Sequence, residues 1–227
     1  MMPVIVIRPE PGCSATLAAA RELGLETRGF PLFRIVAQNW QAPPAQAIDA
    51  VLLGSANTLR CAGENLALYA GKPAYVVGEA TASAAAAAGF TIAASGSGGL
   101  QDVVGAITHA RLLRLTGEEF VTLELPPGIE LTERIVYASQ AQPMPAALAE
   151  MLAVPAVVML HSAAAARHFA AECERLGLDR GRLMLAVIGP RVAEAAGPGW
   201  RRIGAAPEPS DHALLALATR LCQTAAS

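Results

Sequence analysis

Two segments of the chain place a serine between an apolar run and an alanine-rich stretch. Residues 51–60 read VLLGSANTLR, and residues 157–167 read VVMLHSAAAAR. Each pattern predicts a buried strand that leads into a helix, with Ser55 or Ser162 at the junction. A serine at this position commonly caps the helix. Alternatively, its hydroxyl group and the free N–H groups of the first helical turn can bind a carboxylate, because helix N-termini attract anions.

Glycine-containing turns follow the next predicted strand in each half. Residues 75–89 read YVVGEATASAAAAAG, and residues 186–197 read AVIGPRVAEAAG. Glycine lets the backbone approach a ligand closely, and Pro190 suits the first position of a helix. A third pair of turns lies at 97–99 and 209–211. Because the carboxyl ends of parallel strands share one edge of a sheet, each half is expected to present its turns together.

The two halves are expected to be copies of one unit. Ser55 and Ser162 are separated by nearly the same length of chain as Gly78 and Gly189, and the pairs occur in the same order. Strand and helix patterns alternate, which predicts an α/β fold with two doubly wound parallel-sheet domains. The first strand–helix–strand pattern, residues 4–33, has no strand partners of its own, so we place it with the C-terminal half.

The expected domains are therefore a discontinuous α/β domain, 1–35 plus 142–227, and an inserted α/β domain, 38–137. The chain crosses between them near 34–38 and 136–142. Both crossings read as extended segments, so they are expected to pair as a two-stranded β linker.

Several local expectations follow from the same patterns. The apolar spacing predicts one helix from Ser55 to Tyr69 and another over 100–108. Ser14 is expected to cap the first helix, and residues 200–203 are expected to form a strand.

Composition excludes several classes of function. The chain has 227 residues, is 53% hydrophobic and carries a net charge of −2. Its hydrophobic residues are enough to form a large core. Its net charge lacks the basic excess that is typical of nucleic-acid-binding proteins. No stretch is hydrophobic enough for a membrane helix. The N-terminus lacks the pattern of a secretory signal, so we expect a cytoplasmic protein. The four cysteines form no C-x-x-C pair or zinc-like cluster, and no metal is expected.

Arginine greatly outnumbers lysine, with 16 Arg and one Lys. Genomic base composition explains this bias. A second interpretation is that some arginines serve in bidentate recognition of carboxylates.

Tyr137 is the candidate for acid chemistry. It lies in the segment IVYAS at the second predicted crossing. A tyrosine on a strand usually packs, but a phenol on an expected hinge that faces a cleft between the domains can donate a proton to a leaving group. His161 and His168 have no carboxylate at matching spacing, and we interpret them as helix-face residues and not as metal ligands.

Nine segments of the chain, taken in order, resemble the uroporphyrinogen-III synthase family. They are VIVIRPEP, GFPLFRI, DAVLLGSAN, YVVGEATASAAAAAGF, LLRLTGEE, RIVYAS, VVMLHSAAAARHF, LAVIGPRVAEAAG and PSDHALLAL. The resemblance implies two α/β domains joined by a two-stranded linker. It also implies an enzyme that cyclises hydroxymethylbilane with loss of water and inversion of ring D. Members need neither a metal nor an organic cofactor.

The resemblance assigns roles to particular residues. The family tyrosine that helps the hydroxyl leave matches Tyr137, which becomes the expected catalytic residue. The expected substrate-binding residues are Arg8, Ser55, Ala56, Asn57, Gly78, Glu79, Thr81, Ser162, Gly189 and Arg191. The expected partner is a small linear tetrapyrrole that carries many carboxylates, and the expected state is a monomer with no nucleic-acid or membrane partner.

The chain departs from the family pattern at several of these places. Arg191-Val192 stand where the family often has two threonines, and Gly54 and His161 precede the serines where a threonine is often found. A diverged paralogue that binds without catalysis is therefore one alternative. A two-domain clamp for another anionic ligand is a second. A nucleotide enzyme would need G-x-G-x-x-G after the first strand, and residues 8–12 read RPEPG instead.

Overall fold

The structure is a computed structural model, and it describes residues 2–224. Strands and helices alternate along the chain in the order β1 (Val4–Val6), α1 (Gly12–Glu22), β2 (Thr27–Gly29), β3 (Phe33–Ala37), β4 (Ala50–Leu53), α2 (Ala56–Cys61), β5 (Pro73–Val77), α3 (Glu79–Ala87), β6 (Thr91–Gly96), β7 (Arg111–Gly117), β8 (Glu130–Ala141), α4 (Ala146–Met151), β9 (Ala156–Leu160), α5 (Ala163–Arg175), β10 (Leu183–Val187), α6 (Pro190–Ala196), β11 (Arg202–Ala205) and α7 (Asp211–Thr224). Short 3-10 helices occur at Ala45–Ala47, Glu64–Tyr69, Leu100–Ala106 and Arg180–Arg182. No helix within residues 2–224 is long and apolar enough to cross a membrane.

The chain forms two compact units. One unit combines the residues up to Arg34 with those from Gln140 onward, and we call it the split unit. The other comprises Ile35–Ser139, and we call it the inserted unit. The boundaries fall within β3 and near the end of β8.

Parallel pairing of buried strands organises both sheets. The five-stranded sheet has the order β11-β10-β9-β1-β2, and the six-stranded sheet has the order β3-β8-β7-β4-β5-β6. The central strands β4 (AVLL) and β9 (AVVML) are buried at every position. Such continuous apolar runs are typical of parallel strands that are covered on both faces. The expected α/β class is confirmed, and every strand pair of the five-stranded sheet is parallel.

The two sheets share one strand order. When β9 is matched with β4, the strands β10 and β11 correspond to β5 and β6, and on the other side β1 and β2 correspond to β7 and β8. The matched pairs differ in chain order, because β1 and β2 precede β9 whereas β7 and β8 follow β4. The two units therefore have the arrangement of duplicated copies that are circularly permuted with respect to each other.

Each sheet has a core on both faces. In the split unit, Phe169 and Leu148 pack on one face and Leu214 and Leu221 on the other. In the inserted unit, Tyr69 and Val136 belong to one cluster, which we call the helix-side core because α2 and α3 contribute to it. The opposite face is covered by the 3-10 helix at 100–106 and by part of the segment that joins β7 to β8.

Several local expectations are wrong. The predicted helix from Ser55 to Tyr69 is interrupted at Gly63, whose φ of +64° ends α2 and starts a 3-10 turn. Residues 100–106 form a 3-10 helix and not an α-helix. Ser14 lies inside α1, where its N–H and hydroxyl groups donate to Glu10 at 3.0 and 2.9 Å.

The fourth wrong expectation concerns the strand predicted at 200–203. Trp200 lies outside β11, and its ring stacks on Phe169 with centroids 5.5 Å apart. Its indole N–H also donates to the carbonyl of Ala196 at 3.1 Å. The ring therefore packs against helices α5 and α6, and the strand begins two residues later.

A buried carboxylate holds the segment before α4. Glu172 on α5 accepts from the N–H of Met144 at 2.6 Å and from Nε and Nη2 of Arg175, each at 2.7 Å. Its side chain is only 10% exposed. These hydrogen bonds, with Arg175 the main contributor, lower the pKa of the Glu172 carboxyl from 4.5 to about 2.

We expect Glu172→Gln to lower the free energy of unfolding by roughly 1–3 kcal/mol at neutral pH, because the charged acceptor is lost. The folded pKa lies below the unfolded one, so the carboxylate stabilises fully above pH 4.5 and loses its effect as the pH falls towards 2. Urea unfolding across this range should show the difference between the two proteins shrinking with acid. Glu174→Gln is the control, because that side chain is 83% exposed and should change little. A difference that stays constant down to pH 2 would contradict this account.

Candidate functional site

Ser55 joins β4 to α2 in the inserted unit. Its backbone is extended, and its hydroxyl oxygen accepts from the N–H of Asn57 at 3.2 Å. The Asn57 side-chain oxygen accepts from Arg60 at 2.9 Å. Ala56 is buried, whereas Ser55 and Asn57 are half-buried. Ser55 is thus a helix cap, as the first interpretation expected, and it remains partly exposed.

Gly78 makes the next junction, between β5 and α3. Its φ of +79° is accessible to glycine without strain, and no side chain caps the helix. The first N–H groups of α3 therefore have no intrahelical acceptor. Glu79 is exposed beside them. Thr81 is only 4% exposed, so its side chain packs inside the unit.

Strand register brings these junctions level with Tyr137. Leu53 is paired with Val76 and with Leu115, so the positions two residues further along, Ser55, Gly78 and Gly117, fall in one row. Gly117 is paired in turn with Tyr137 on β8. The carboxyl edge of this sheet therefore holds a serine, a glycine turn and a phenol together. Tyr137 is half-buried, and its hydroxyl group makes no hydrogen bond to any other residue within 2–224.

The split unit has a matching edge. Ser162 is exposed, caps α5 and accepts from the N–H of Ala165 at 3.1 Å. Leu160 is paired with Val187, which places Ser162 level with Gly189 at the start of α6. Val6 is paired with Met159, which places Arg8 level with His161. Arg191 is exposed and forms no ion pair with another described residue.

A polar cluster at this edge was missed by the sequence analysis. Asp211, at the start of α7, accepts from Thr16 at 2.8 Å and from Arg8 at 3.2 Å, and it bonds to Nε2 of His161 at 2.8 Å. The His161 side chain is only 7% exposed, so its interpretation as a helix-face residue is wrong. The four residues come from the ends of β1 and β9 and from α1 and α7, and no sequence spacing could have joined them.

Burial sets the charge state of this cluster. It lowers the pKa of His161, and the positive charge of Arg8 lowers it further, against the opposing effect of Asp211. Burial alone would raise the pKa of Asp211, but hydrogen bonds from His161 and Thr16 and the charge of Arg8 outweigh it, so that this pKa is lowered. A neutral imidazole therefore donates Nε2–H to an ionised Asp211. Nδ1 of His161 is left buried with no partner among the described residues.

The cluster changes the expectation for Arg8. Its Nη1 group is occupied by Thr16 and Asp211, and Asp211 compensates its charge. About two thirds of the side chain is buried. Arg8 is thus partly committed to holding the split unit together, whereas Arg191 has a guanidinium without an ion-pair partner among residues 2–224.

Neither a metal cluster nor a cysteine of lowered pKa occurs among residues 2–224. Within residues 2–224, no group of three or more His, Cys, Asp and Glu side chains is arranged to hold a metal ion. All four cysteines are free. Burial raises the pKa of Cys13 to about 11 and that of Cys173 to about 12, so both are neutral thiols at physiological pH.

The model of the uroporphyrinogen-III synthase family, described as uroporphyrinogen-III synthase HemD, matches residues 14–216. The chain belongs to this family. The family predicted from the nine sequence segments is thereby confirmed.

Solved structures support the fold. Uroporphyrinogen-III synthetase from Helicobacter pylori 26695 is similar with a TM-score of 0.65 and 16% identity, over 97% of this chain and 100% of that one. A mutant uroporphyrinogen III synthase from the extremely thermophilic bacterium Thermus thermophilus is similar with a TM-score of 0.56 and 16% identity, over 99% and 100% of the two chains. A search of curated protein sequences found no match. At 16% identity these likenesses concern the fold.

We expect Ser55→Ala and Ser162→Ala each to lower the free energy of unfolding by about 1 kcal/mol, because each serine caps a helix. Ser55→Thr and Ser162→Thr keep the accepting oxygen and serve as controls. Urea unfolding of the four variants would measure the effect. Equal stability of the alanine and threonine variants would show that the caps contribute nothing.

Proposed function

We propose that this chain is an active uroporphyrinogen-III synthase, which converts hydroxymethylbilane into uroporphyrinogen III with loss of water, ring closure and inversion of ring D. Membership of the family supports the proposal. The observation that carries it is the phenol of Tyr137, which lies at a sheet edge beside two strand–helix junctions and has no hydrogen-bond partner among residues 2–224. A phenol free of such partners is available to a substrate.

In this proposal, Tyr137 donates its proton to the hydroxyl group that leaves the terminal ring. The C–O bond breaks and water departs, while electrons from the ring nitrogen form the C=C bond and its N–H proton passes to solvent, which gives an azafulvene. The phenolate regains a proton from solvent in a later step. A neutral phenol is a weak acid, so the assistance consists of a positioned hydrogen bond and proton transfer in the transition state.

Ring inversion demands positioning more than acid–base chemistry. The azafulvene would close directly in water and give the type I isomer. The enzyme has to hold the chain bent so that ring D reacts through its substituted carbon. The product then arises through a spiro-pyrrolenine, whose formation the bent geometry favours, and exclusion of water protects the intermediates.

The substrate carries eight carboxylates, and the enzyme can position it by binding them. We propose that they bind at the free N–H groups of α3, at the start of α5 beside Ser162, near Gly189 and at Arg191. Such groups bind anions without any catalytic triad. The enzyme acts as a cytoplasmic monomer and needs neither metal nor organic cofactor.

One alternative function rests on specific residues. Arg191 and Val192 replace hydroxyl groups common in the family, and Nε2 of His161 is bonded to Asp211 and unavailable to a ligand. A diverged paralogue would bind a tetrapyrrole or another polycarboxylate without converting it.

The direct experiment incubates the purified protein with hydroxymethylbilane and separates the oxidised type I and type III isomers. Formation of the type III isomer at a rate proportional to protein concentration supports the enzyme. Type I isomer alone, at the rate seen in buffer, contradicts it. In that case calorimetric titration with uroporphyrinogen III would separate the paralogue that binds from a protein of different function.

We expect Tyr137→Phe to reduce kcat on the order of 10- to 100-fold while KM and the melting temperature stay nearly unchanged, because only a proton donor is removed. Tyr75→Phe is the matched control. The hydroxyl group of Tyr75 bonds to His109 and to the N–H of Thr108, so its loss should lower stability and leave kcat unaltered. An unchanged kcat in Tyr137→Phe would make Tyr137 a packing residue.

A further inference from the structure

Gly117 lies directly against the ring of Tyr137. A β-carbon added at Gly117 would stand 2.7 Å from Cε2 and from Cζ of the ring, and 3.0 Å from the hydroxyl oxygen. Carbon atoms that are not bonded to each other rarely approach closer than about 3.5 Å without repulsion. Any side chain at position 117 would therefore displace the ring or the strand.

Backbone conformation does not require this glycine. Ten glycines among the described residues have positive φ, and Gly117 is not one of them. Its conformation is open to any amino acid, so the need for glycine comes from the space that the phenol ring fills. Gly105 shows the contrast, because a β-carbon there would meet nothing within 4 Å.

A β-bulge turns Tyr137 towards Gly117. Thr116 is paired with Ile135, but the next residue, Gly117, is paired with Tyr137, so Val136 is the extra residue of β8. Side chains alternate between faces on a regular strand. Here the consecutive residues Val136 and Tyr137 both pack against the helix-side core. Bulges re-aim side chains in this way next to functional sites.

Main-chain bonding fixes the bulge. The N–H of Glu118, the residue after Gly117, donates to the carbonyl of Tyr137 at 3.1 Å. The ring is thereby held between the core on one side and the bare backbone of Gly117 on the other. Within residues 2–224, Tyr137 has no hydrogen bond that could orient its hydroxyl group, so these contacts decide where the phenol points.

We infer that Gly117 is a positioning residue for Tyr137: the missing side chain at 117, together with the bulge at Val136, fixes the phenol at the carboxyl edge of the sheet. The catalytic part of this inference rests on the proposed function. The structural part does not, and it can be tested without any substrate.

Nitration by tetranitromethane tests the position of the Tyr137 ring without a measurement of enzyme activity. The chain has three tyrosines, and Tyr69 and Tyr75 are fully buried, so Tyr137 is the one that the reagent can reach. We expect Gly117→Ala to change the rate of nitration at Tyr137, measured by peptide mass analysis, while Gly105→Ala leaves it as in the parent. An identical rate in Gly117→Ala and the parent overturns the inference.

A double-mutant cycle of melting temperatures tests the inference even if Gly117→Ala folds poorly. The alanine should lower the melting temperature when Tyr137 is present, because the new methyl group overpacks the ring. In the Tyr137→Ala background the ring is absent, and the same alanine should have little effect. An equal loss in both backgrounds would show that Gly117 matters for a reason other than the ring.

Kinetics complete the test. With Tyr137 present, Gly117→Ala should reduce kcat on the order of 10- to 100-fold with a smaller change in KM, because a small misplacement of a reacting group is costly. In the Tyr137→Phe background it should have little further effect. Multiplicative losses would overturn the positioning role. A parent protein that produces no type III isomer would overturn the proposed function, while nitration and stability would still decide the role of Gly117.

Discussion

Parallel pairing of strands that are buried on both faces underlies every other feature of this molecule. The apolar strands β4 and β9 sit at the centre of their sheets, and each pairs with neighbours on both sides. Because the strands run the same way, their carboxyl ends meet at one edge, and the chain must turn into a helix there. Polar residues at these turns are thus gathered in space although they are scattered in sequence. The site residues owe their proximity to this register.

The carboxyl edges of the two sheets carry different groups. In the inserted unit the edge carries capped or uncapped helix starts and the phenol of Tyr137. In the split unit the edge carries Arg8, His161 and Asp211, in which Asp211 pairs with Arg8 and bonds to His161. Asp211 is half-buried, and such partners offset the cost of partly desolvating its charge. Duplicated units can therefore diverge at the edge while their sheets keep one strand order.

Tyr137, the proposed proton donor, departs from the regular pattern of a strand. Regular alternation would place it on the face opposite to Val136. The bulge and the bare backbone of Gly117 together place it on the same face. Irregularities of this kind are expected where function competes with ideal geometry. In the proposed reaction the outcome depends on the bend of the substrate, so a well-positioned donor matters more than a strong acid.

The sequence by itself determined most of the elements, the α/β class and the family. Continuous apolar runs identify buried strands without reference to their neighbours, and strand–helix junctions such as those at Ser55 and Gly78 follow directly from them. The strands β4 and β9 lie at the two apolar runs that precede Ser55 and Ser162. The helix over 55–69 failed because the pattern of apolar residues continues through Gly63, although the backbone there turns to positive φ.

Only the tertiary structure decided which junction residues meet and what holds them. The cluster of Arg8, Thr16, His161 and Asp211 joins residues from both ends of the split unit, and the pKa of His161 depends on burial that no local pattern encodes. The contact of Gly117 with Tyr137 depends on a one-residue shift in register, which leaves no mark in composition or periodicity. Local propensity acts between near neighbours in the chain, whereas burial, charge compensation and register arise from strands and helices that pack together after folding.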